Sequence, residues 1–491
     1  MHPEQVVKRT LYAALVATLV AIPSLAQSPQ LLSGTITGAQ NHTYVEVPFE
    51  VPANTARVTL QFAYTGKEDH TTIDLGLEDP DRTRCWSGGN KSILTVAPSD
   101  ATPSCEPGAI PSGTWKVLLG VPNIRPNSLA HYTIKLWLSQ SAALADEPAI
   151  LRVPLRTGPA WYRGDLHMHT GHSDGTCPSL TGKTVPCPVF ITAETAEKRG
   201  LDFIAISDHN ATSQYNSMRE LQPYFDNLLL IPAREITTFY GHLNLIGATQ
   251  YVDWRLGTTS VPDIDTLLRA MDATGAVTSV NHPLDPTGEA CMGCGFTPPT
   301  APDLSLLNAV EVINGTNADT PNSGIPYWFD ALNQGIRLTA IGGSDTHRPL
   351  ANTGSSIGVP STVVYATELS IQAILEGIRA GHVFLDAAGT RTRSINLTAT
   401  TAAATARMGD TLRAPANSTV ELTATTAPAE GASTTLLLDG HPLASTNSLT
   451  LRKTWPSDGK RHWVLAEARS PDGKLWLLGN PIYINWTSAK P

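Results

Sequence analysis

The stretch YRGDLHMHT, residues 162–170, has the pattern of a short strand and carries two histidines at alternate positions. Similar apolar runs of strand length recur along the middle of the chain. They are LDFIAIS (201–207), NLLLIPA (227–233), HLNLIGA (242–248), GAVTSVN (275–281), AVEVING (309–315) and RLTAIGG (337–343). Between several of them lie helical patterns, among them ITAETAEKRG (191–200), PDIDTLLRAMDATG (262–275) and SIQAILEGIRAG (370–381). Alternating strands and helices indicate a parallel sheet, and this number of units predicts a closed or nearly closed barrel.

The residues on either side of this central region have the alternating apolar and polar pattern of β-strands. Short alternating runs such as TYVEVPFEV (43–51) predict an antiparallel β-sandwich or jelly roll over residues 30–140. Residues 141–157, rich in Ala and Pro, predict a linker before the barrel at 158–390. Runs such as HWVLAEA (462–468) predict an immunoglobulin-like β-sandwich over 391–491. The 491 residues are therefore expected to form a multidomain chain.

The N-terminus has the pattern of a secretory signal. Lys8 and Arg9 precede the apolar run 11–22, and small residues up to Ala26 suit cleavage, so residues 1–26 are predicted to be a signal peptide. A membrane anchor is the alternative, but the run is shorter than the roughly 20 residues that a spanning helix needs. The protein is expected to be periplasmic or secreted, with no stable membrane insertion after cleavage.

Charge and cysteine content narrow the class further. A formal net charge of −9 offers no evident means of binding nucleic acid. The six cysteines fall into local pairs, which predicts three disulfides in an oxidising compartment. The pairs are Cys85 with Cys105, Cys177 with Cys187, and Cys291 with Cys294. For the last pair a redox motif or half of a zinc site is the alternative, although no second CxxC accompanies it.

Metal-competent side chains lie at the ends of the predicted strands. His167 and His169 occupy alternate positions of one strand, so both imidazoles project from the same face, as metal ligands must. Each candidate also has a structural alternative, such as solvent-exposed histidines, a helix cap at Asp208 or Asn210, or an ion pair of a glutamate with its neighbouring arginine. Their regular placement favours a single cluster. The further candidates are Asp174, His209, Glu235, His242, His282, Asp345 and His347.

These residues also carry a family resemblance. HMHTGHSDGT (167–176), ISDHN (206–210), ARE (233–235), GH (241–242), NHP (281–283) and GGSDTH (342–347) occur in the order of the motifs of the polymerase-and-histidinol-phosphatase (PHP) superfamily. Residues 160–390 resemble its CehA/McbA-type metallohydrolases. The resemblance implies a distorted (β/α)7 barrel with nine ligands. One metal would take His167, His169, Glu235 and Asp345, a second would share Glu235 and take His242 and His282, and a third would take Asp174, His209 and His347.

This ligand set predicts hydrolytic chemistry. Imidazoles and carboxylates without thiolates suit Mn²⁺, Zn²⁺ or Fe²⁺. Two or three such cations sharing a carboxylate would lower the pKa of a shared water toward about 7 and supply hydroxide as the nucleophile. The expected catalytic residues are His167, His169, Glu235, Asp345 and His347. We interpret His172, Asp208 and Asn210 as groups that orient the ligands.

Three functional hypotheses follow. The first is hydrolysis of a small phosphoester, with Arg234, Arg348 or Arg163 clamping the phosphate, although each arginine could equally be solvated or ion-paired. The second keeps the site and replaces the substrate with a carboxyl ester or carbamate, and no residue decides between these two. The third is a secreted glycan-binding protein with structural metals, using aromatic residues such as Trp86 and Tyr64. Nine ligands exceed the four of a structural zinc site, which favours an enzyme.

Overall fold

The structure is a computed structural model that describes residues 28–140, 153–288, 291, 293–351, 355–427 and 431–487. The predicted signal peptide 1–26 lies outside these residues, and so do residues 141–152 of the predicted linker. Among the described helices, none is both long enough and apolar enough to cross a membrane.

The first part of the chain forms two four-stranded antiparallel sheets. Its strands are β1 (Gln30–Thr37), β2 (Thr43–Val51), β3 (Arg57–Tyr64), β4 (Thr72–Glu78), β5 (Thr83–Trp86), β6 (Ile93–Val96), β7 (Gly113–Asn123) and β8 (Leu129–Ser139). The sheet orders are β1-β8-β3-β6 and β2-β7-β4-β5. Side chains alternate along each strand, so Trp115, Val117 and Leu119 of β7 all face the same way. They join residues of the other sheet in one apolar core.

The central part alternates strands with short helices. Its elements are β9 (Arg156–Asp165), β10 (Thr176–Pro178), β11 (Thr184–Pro186), α1 (Val189–Lys198), β12 (Phe203–Ile206), α2 (Gln214–Leu221), β13 (Leu229–Thr238), β14 (Gly241–Ile246), α3 (Ile264–Asp272), β15 (Val277–Val280), β16 (Ala309–Asn314), α4 (Ile325–Gln334), β17 (Thr339–Gly343), β18 (Ser361–Leu369), α5 (Ile371–Arg379) and β19 (Val383–Asp386). Two helices begin at side-chain caps, since Asp263 accepts the N–H of Thr266 at 2.8 Å and Ser370 accepts that of Ala373 at 3.2 Å.

The central strands lie in the order β17-β16-β15-β14-β13-β12-β9. The residues that follow β9 lie beside the residues that follow β17. Met168 forms a parallel bridge with Thr346, and the Asp345 N–H donates to the His167 carbonyl at 2.8 Å. These contacts bring the two outer strands of the run together at the carboxyl end of β9.

The described residues do not show the seven βα units of the distorted (β/α)7 barrel that the family resemblance implies. The described residues contain five α-helices, and β14 runs antiparallel to both β13 and β15. Only Phe239 and Tyr240 separate β13 from β14, too few residues for a crossover helix. The two strands form a hairpin, which places Glu235 and His242 on neighbouring strands.

The last part of the chain is again all β. Its strands are β20 (Ser394–Thr400), β21 (Thr405–Arg407), β22 (Thr411–Leu412), β23 (Thr419–Ala427), β24 (Ser433–Leu438), β25 (His441–Thr446), β26 (Thr450–Pro456), β27 (His462–Arg469), β28 (Leu475–Gly479) and β29 (Ile482–Ile484). One sheet, β21-β20-β23-β26, is separate. The other continues the central sheet, because β19 pairs with β28. The chain is therefore multidomain and β-rich, without a break in this sheet at the predicted boundary near residue 390.

A buried ion cluster joins the first part to the central part. Arg57 of β3 donates to both carboxylate oxygens of Asp100, at 2.9 and 2.8 Å, and Arg219 of α2 also pairs with this carboxylate. The Thr249 hydroxyl donates to it at 3.0 Å. Burial opposes ionisation, but the two guanidinium groups outweigh it and lower the pKa of Asp100 to about 2.

The structure confirms the three predicted disulfide pairings. Cys85 is bonded to Cys105, Cys177 to Cys187, and Cys291 to Cys294. The second bond closes the β10–β11 hairpin, which lies beside the predicted ligands because the Thr176 N–H donates to the His347 carbonyl at 2.7 Å.

Candidate metal centre

All nine predicted ligands meet in one pocket. Most of them follow a central strand at its carboxyl end, where neighbouring parallel strands finish side by side. His167, His169 and Asp174 come after β9, His209 after β12, His282 after β15, and Asp345 and His347 after β17, while Glu235 lies within β13 and His242 within β14.

Glu235 stands at the centre of the pocket and contacts five imidazoles. Its Oε1 lies 3.2 Å from His167 Nε2, 3.3 Å from His242 Nδ1 and 3.3 Å from His282 Nε2. Its Oε2 lies 2.8 Å from His209 Nδ1 and 3.5 Å from His169 Nε2. The Glu235 side chain is buried, so this carboxylate could hold a divalent cation together with the imidazoles around it.

Asp345 approaches the same imidazoles from the end of β17. Its Oδ1 lies 3.0 Å from His169 Nε2 and 3.3 Å from His167 Nε2. Asp345 and His282 both have left-handed backbone, with φ of 50° and 28°, a conformation that costs of order 1–3 kcal/mol in residues other than glycine. Such backbone strain at two predicted ligands indicates that the surrounding structure imposes their orientation.

The side of the pocket formed by Asp174, His209 and His347 is open to solvent. His347 Nε2 lies 3.3 Å from Asp174 Oδ1, and His209 Nε2 lies 3.8 Å from the same oxygen. The Asp174 side chain is 58% exposed and that of His347 34%, whereas His169 directly behind them is buried. The His169 and His347 rings stack with centroids 4.0 Å apart. This side of the pocket is therefore accessible from solvent.

The carboxylates and imidazoles shift one another's pKa values. Burial raises the pKa of Glu235, but the charge of His167 outweighs it and lowers that pKa well below its ordinary value. The pKa of Asp345 is lowered against burial by His167 and His169. Burial lowers the pKa of His282, yet Glu235 and Asp345 raise it to about 9. The pocket thus holds ionised carboxylates that attract positive charge.

The donor set fits divalent cations. His242 Nε2 is buried without a hydrogen-bond partner among the described residues, and such an orphaned nitrogen is costly unless a ligand occupies it. Four groups of side chains in the described residues bring their ligand atoms within 4.8 Å of one another. They are His169, Asp174, His209 and His347; His167, His169 and Glu235; His209, Glu235 and His242; and His167, His282 and Glu311. The first group contains the three ligands predicted for the third metal, with His169 added. The second predicted metal paired His242 with His282, but the structure groups His242 with His209.

Glu311 is a member of the cluster that the sequence reasoning missed. His167 Nδ1 lies 3.0 Å from Glu311 Oε1, and the His282 N–H donates to Oε2 at 3.1 Å. Asn314 donates to Glu311 Oε2 and to Asp345 Oδ2, both at 3.1 Å. A carboxylate hydrogen-bonded to the far nitrogen of a ligating histidine fixes its tautomer and orientation. The signal was present in AVEVING, where a charged side chain interrupts an otherwise buried strand.

Asp208 and Asn210 hold segments that carry ligands. Asp208 accepts the N–H and the hydroxyl of Thr170 at 2.8 Å, and the Ser173 hydroxyl at 2.7 Å, which fixes the turn between His169 and Asp174. Asn210 exchanges two hydrogen bonds of 3.0 Å with the backbone of Thr237. His172, by contrast, lies 2.8 Å from the Ser213 hydroxyl.

The three predicted phosphate-binding arginines are not together. Arg234 precedes Glu235 on a strand and therefore points to the opposite face, where its buried guanidinium donates to the Gln250 carbonyl at 3.0 Å. Arg163 pairs with Asp386 at 3.2 Å. Neither placement supports the predicted contact with substrate. The Arg348 side chain is exposed, directly after the predicted ligand His347.

Comparison with known proteins gives only distant likenesses. No family model and no curated protein matches the chain. Among solved structures it is similar to a two-domain protein of Bacteroides vulgatus described as containing a predicted PHP-like metal-dependent phosphoesterase, at 19% identity and a TM-score of 0.37, over 68% of this chain and 97% of that one. It is also similar to PsfC of Pseudomonas syringae, at 16% identity and a TM-score of 0.29, over 44% and 88%. These likenesses are too weak to assign a family, so the function rests on the geometry of the pocket.

Proposed function

We propose that this chain is an exported metal-dependent hydrolase of the PHP type, with a di- or trinuclear centre that acts on small phosphoesters. The observation that carries the proposal is the buried Glu235 carboxylate within 3.5 Å of five imidazoles. A structural site needs four ligands, and this pocket offers nine together with an open side.

Within this proposal the side chains have distinct tasks. Glu235 and Asp345 supply the negative charge that holds adjacent cations, and the histidines complete their coordination. Divalent cations bound there would acidify water and neutralise charge that develops on the oxygens of the substrate. Asp174 and His347 line the entrance and would meet the substrate first, since their side chains are the more exposed members of the set.

The strand order also supports the PHP interpretation. Seven strands, from β9 through β12–β17, form a continuous run, and the segments after its two outer strands lie side by side. We interpret this run as the distorted barrel of that superfamily, in which the hairpin β13–β14 replaces one βα unit. The three disulfides support export to an oxidising compartment.

The arginine positions keep the carboxyl ester or carbamate alternative open. A phosphoryl group is usually clamped by cationic side chains, and of the three predicted arginines only Arg348 has an exposed side chain beside a ligand. A carboxyl ester needs no such clamp. Substitution of Arg348 therefore discriminates between the two electrophiles.

The test compares substrates on the same metal-loaded protein. Metal-free protein is reconstituted with Mn²⁺, Zn²⁺ or Fe²⁺ and assayed with bis(p-nitrophenyl) phosphate, p-nitrophenyl acetate and an aryl carbamate. We expect turnover of the phosphodiester, which Arg348→Ala weakens and a distant control, Arg452→Ala, leaves unchanged. Turnover of the carboxyl substrates alone would remove the phosphoester assignment. No turnover of any substrate by protein loaded with each metal would remove the hydrolase.

A further inference from the structure

Trp86 lies flat on the outer face of the sheet β2-β7-β4-β5, far in the chain from the metal ligands. Its ring covers two glycines on neighbouring strands. A Cβ atom added at Gly76 would lie 2.7 Å from Trp86 Cε3, and one added at Gly120 would lie 2.8 Å from Cη2. The ring therefore occupies the space that a side chain would fill at these two positions, so both must be glycine. Trp86 is still 39% exposed, so its opposite face is turned to solvent.

The backbone around Trp86 is firmly held. The preceding residue, Cys85, is buried and disulfide-bonded to Cys105. The Trp86 N–H donates to the Ser104 carbonyl at 3.2 Å, and the next N–H, that of Ser87, donates to the Leu75 carbonyl at 2.9 Å. An exposed ring on a rigid strand loses little conformational freedom when something binds to it, which favours binding.

A second aromatic residue borders the same spot. Tyr44 of β2 is opposite Gly120 in the strand register, is 70% exposed, and has its ring centroid 6.0 Å from that of Trp86 at an angle of 59°. Asp74 of β4 flanks Gly120 on the other side. The two rings thus form an angled pair, and Asp74 lies on the strand beside Gly120. We call Tyr44, Asp74, Gly76, Trp86 and Gly120 the aromatic platform.

We propose that the aromatic platform binds a carbohydrate chain of β-linked pyranose units. A pyranose ring with equatorial substituents presents a flat face of C–H groups, which stacks on an aromatic ring, while its hydroxyls at the edge donate to a carboxylate. Trp86 offers the flat surface, Tyr44 the flank, and Asp74 an acceptor at the edge.

Size and charge argue against other occupants. A stable protein interface buries about 800 Å² on each partner, and two rings cover far less. Charged side chains border the rings, since Glu46 and Lys116 form an ion pair of 2.6 Å on the same outer face. The net charge of −9 is unfavourable for docking on an anionic membrane.

The platform differs from the arrangement expected from the sequence. Tyr64, the other aromatic candidate, lies in β3 of the opposite sheet, where its hydroxyl accepts the Ile73 N–H at 3.3 Å and Lys67 lies 4.8 Å from the ring centroid. Tyr44 takes its place beside Trp86. Binding at the platform requires none of the metal ligands, so the site is independent of the proposed hydrolase.

The test measures the fraction of the whole chain that is retained on microcrystalline cellulose and on chitin. We expect retention on at least one of them, unchanged by EDTA. Trp86→Ala and Tyr44→Ala should each weaken the apparent affinity about tenfold, the effect of losing one aromatic stacking contact. Trp161→Ala is the matched control, because Trp161 is 38% exposed but lies on the central sheet. Its retention should equal that of the unsubstituted protein.

A second variant tests the geometry of the platform. Gly120→Ala keeps both aromatic rings but places a methyl group where the Trp86 ring lies, so it should weaken retention while the melting temperature changes little. No retention on either polysaccharide, or equal retention after Trp86→Ala, would overturn the proposal. So would retention that EDTA abolishes, since binding would then depend on the metal centre. Concentration-dependent self-association that Trp86→Ala removes would assign the platform to a second copy of the chain and overturn it as well.

Discussion

Two buried carboxylates, Asp100 and Glu235, are surrounded by different kinds of nitrogen group. Asp100 is surrounded by guanidinium groups, with Arg57 on both of its oxygens and Arg219 beside it. Glu235 is surrounded by imidazoles, and the Nε2 atom of one of them, His242, has no hydrogen-bond partner among the described residues. Both carboxylates have lowered pKa values.

The difference between guanidinium and imidazole partners separates a cluster that stabilises the fold from one that could bind metal. Arginine keeps its proton at any ordinary pH, so the charges around Asp100 are permanent and neutralise it without any other ion. Imidazole releases its proton near neutrality and then offers a lone pair to a metal. The Asp100 cluster is complete as it stands and joins two parts of the chain. The imidazoles around Glu235 can lose their protons, and their free lone pairs could then hold cations beside the carboxylate.

The largest expected effect is on catalysis. His169→Ala or Asp345→Ala should reduce hydrolysis to background, because each removes a ligand from the buried centre of the pocket. The fold should persist, as reported by circular dichroism, since neither side chain holds the apolar core. His441→Ala, an exposed histidine in β25, is the control and should keep full activity. Full activity in either ligand variant would contradict the proposed centre.

The next effect is on stability. Asp100→Asn leaves the charges of Arg57 and Arg219 buried without their anion, which should lower the free energy of unfolding by about 3–5 kcal/mol. Urea denaturation measures the change. Metal content and turnover at 25 °C should stay close to those of the unsubstituted protein. Loss of metal with unchanged stability would reverse the roles given to the two carboxylates.

Acid should weaken the ion pairs that Asp100 forms between the first and central parts of the chain. The folded-state pKa of Asp100 is about 2, below the ordinary value of 3.8, so its ion pairs stabilise the fold fully above about pH 4. That contribution, about 2 kcal/mol, is lost as the pH falls through about 2. Urea midpoints measured between pH 5 and pH 2 should therefore fall less in Asp100→Asn than in the unsubstituted protein. Identical pH dependence in the two proteins would exclude Asp100 as the cause.

The smallest effect is expected at Glu311. Glu311→Gln keeps the shape but weakens the hydrogen bond that orients His167, so metal affinity should fall about 10- to 100-fold. Titration of metal-free protein with Zn²⁺ measures this change. Excess metal should restore most of the turnover, which distinguishes a positioning residue from a lost catalytic group. A variant that binds metal as tightly as the unsubstituted protein would remove that role.

The side chains that meet in the pocket could largely be predicted because they lie at the ends of strands. His167 and Asp345 follow apolar strand patterns, and the ends of such strands meet in space. Glu311 was missed because it lies inside a strand, where alternation alone cannot tell a core position from one that faces the pocket. The direction of Arg234 follows from its neighbour Glu235, since adjacent strand residues face opposite sides.

The detailed strand pairing of the fold was harder to predict from the sequence. The hairpin β13–β14 depends on a two-residue turn at Phe239 and Tyr240, which lacks the Asn-Gly or Asp-Gly signal of tight hairpins. The pairing of β19 with β28 joins residues almost a hundred positions apart, and no local pattern encodes it. The disulfide pairs were predictable because each closes a short loop.

The most direct test of the centre is metal analysis of the whole chain purified without chelator. We expect two or three equivalents of Mn, Zn or Fe per chain, lost in parallel with turnover on dialysis against EDTA and regained with it. Protein that contains no bound metal and still hydrolyses its substrate would contradict the account.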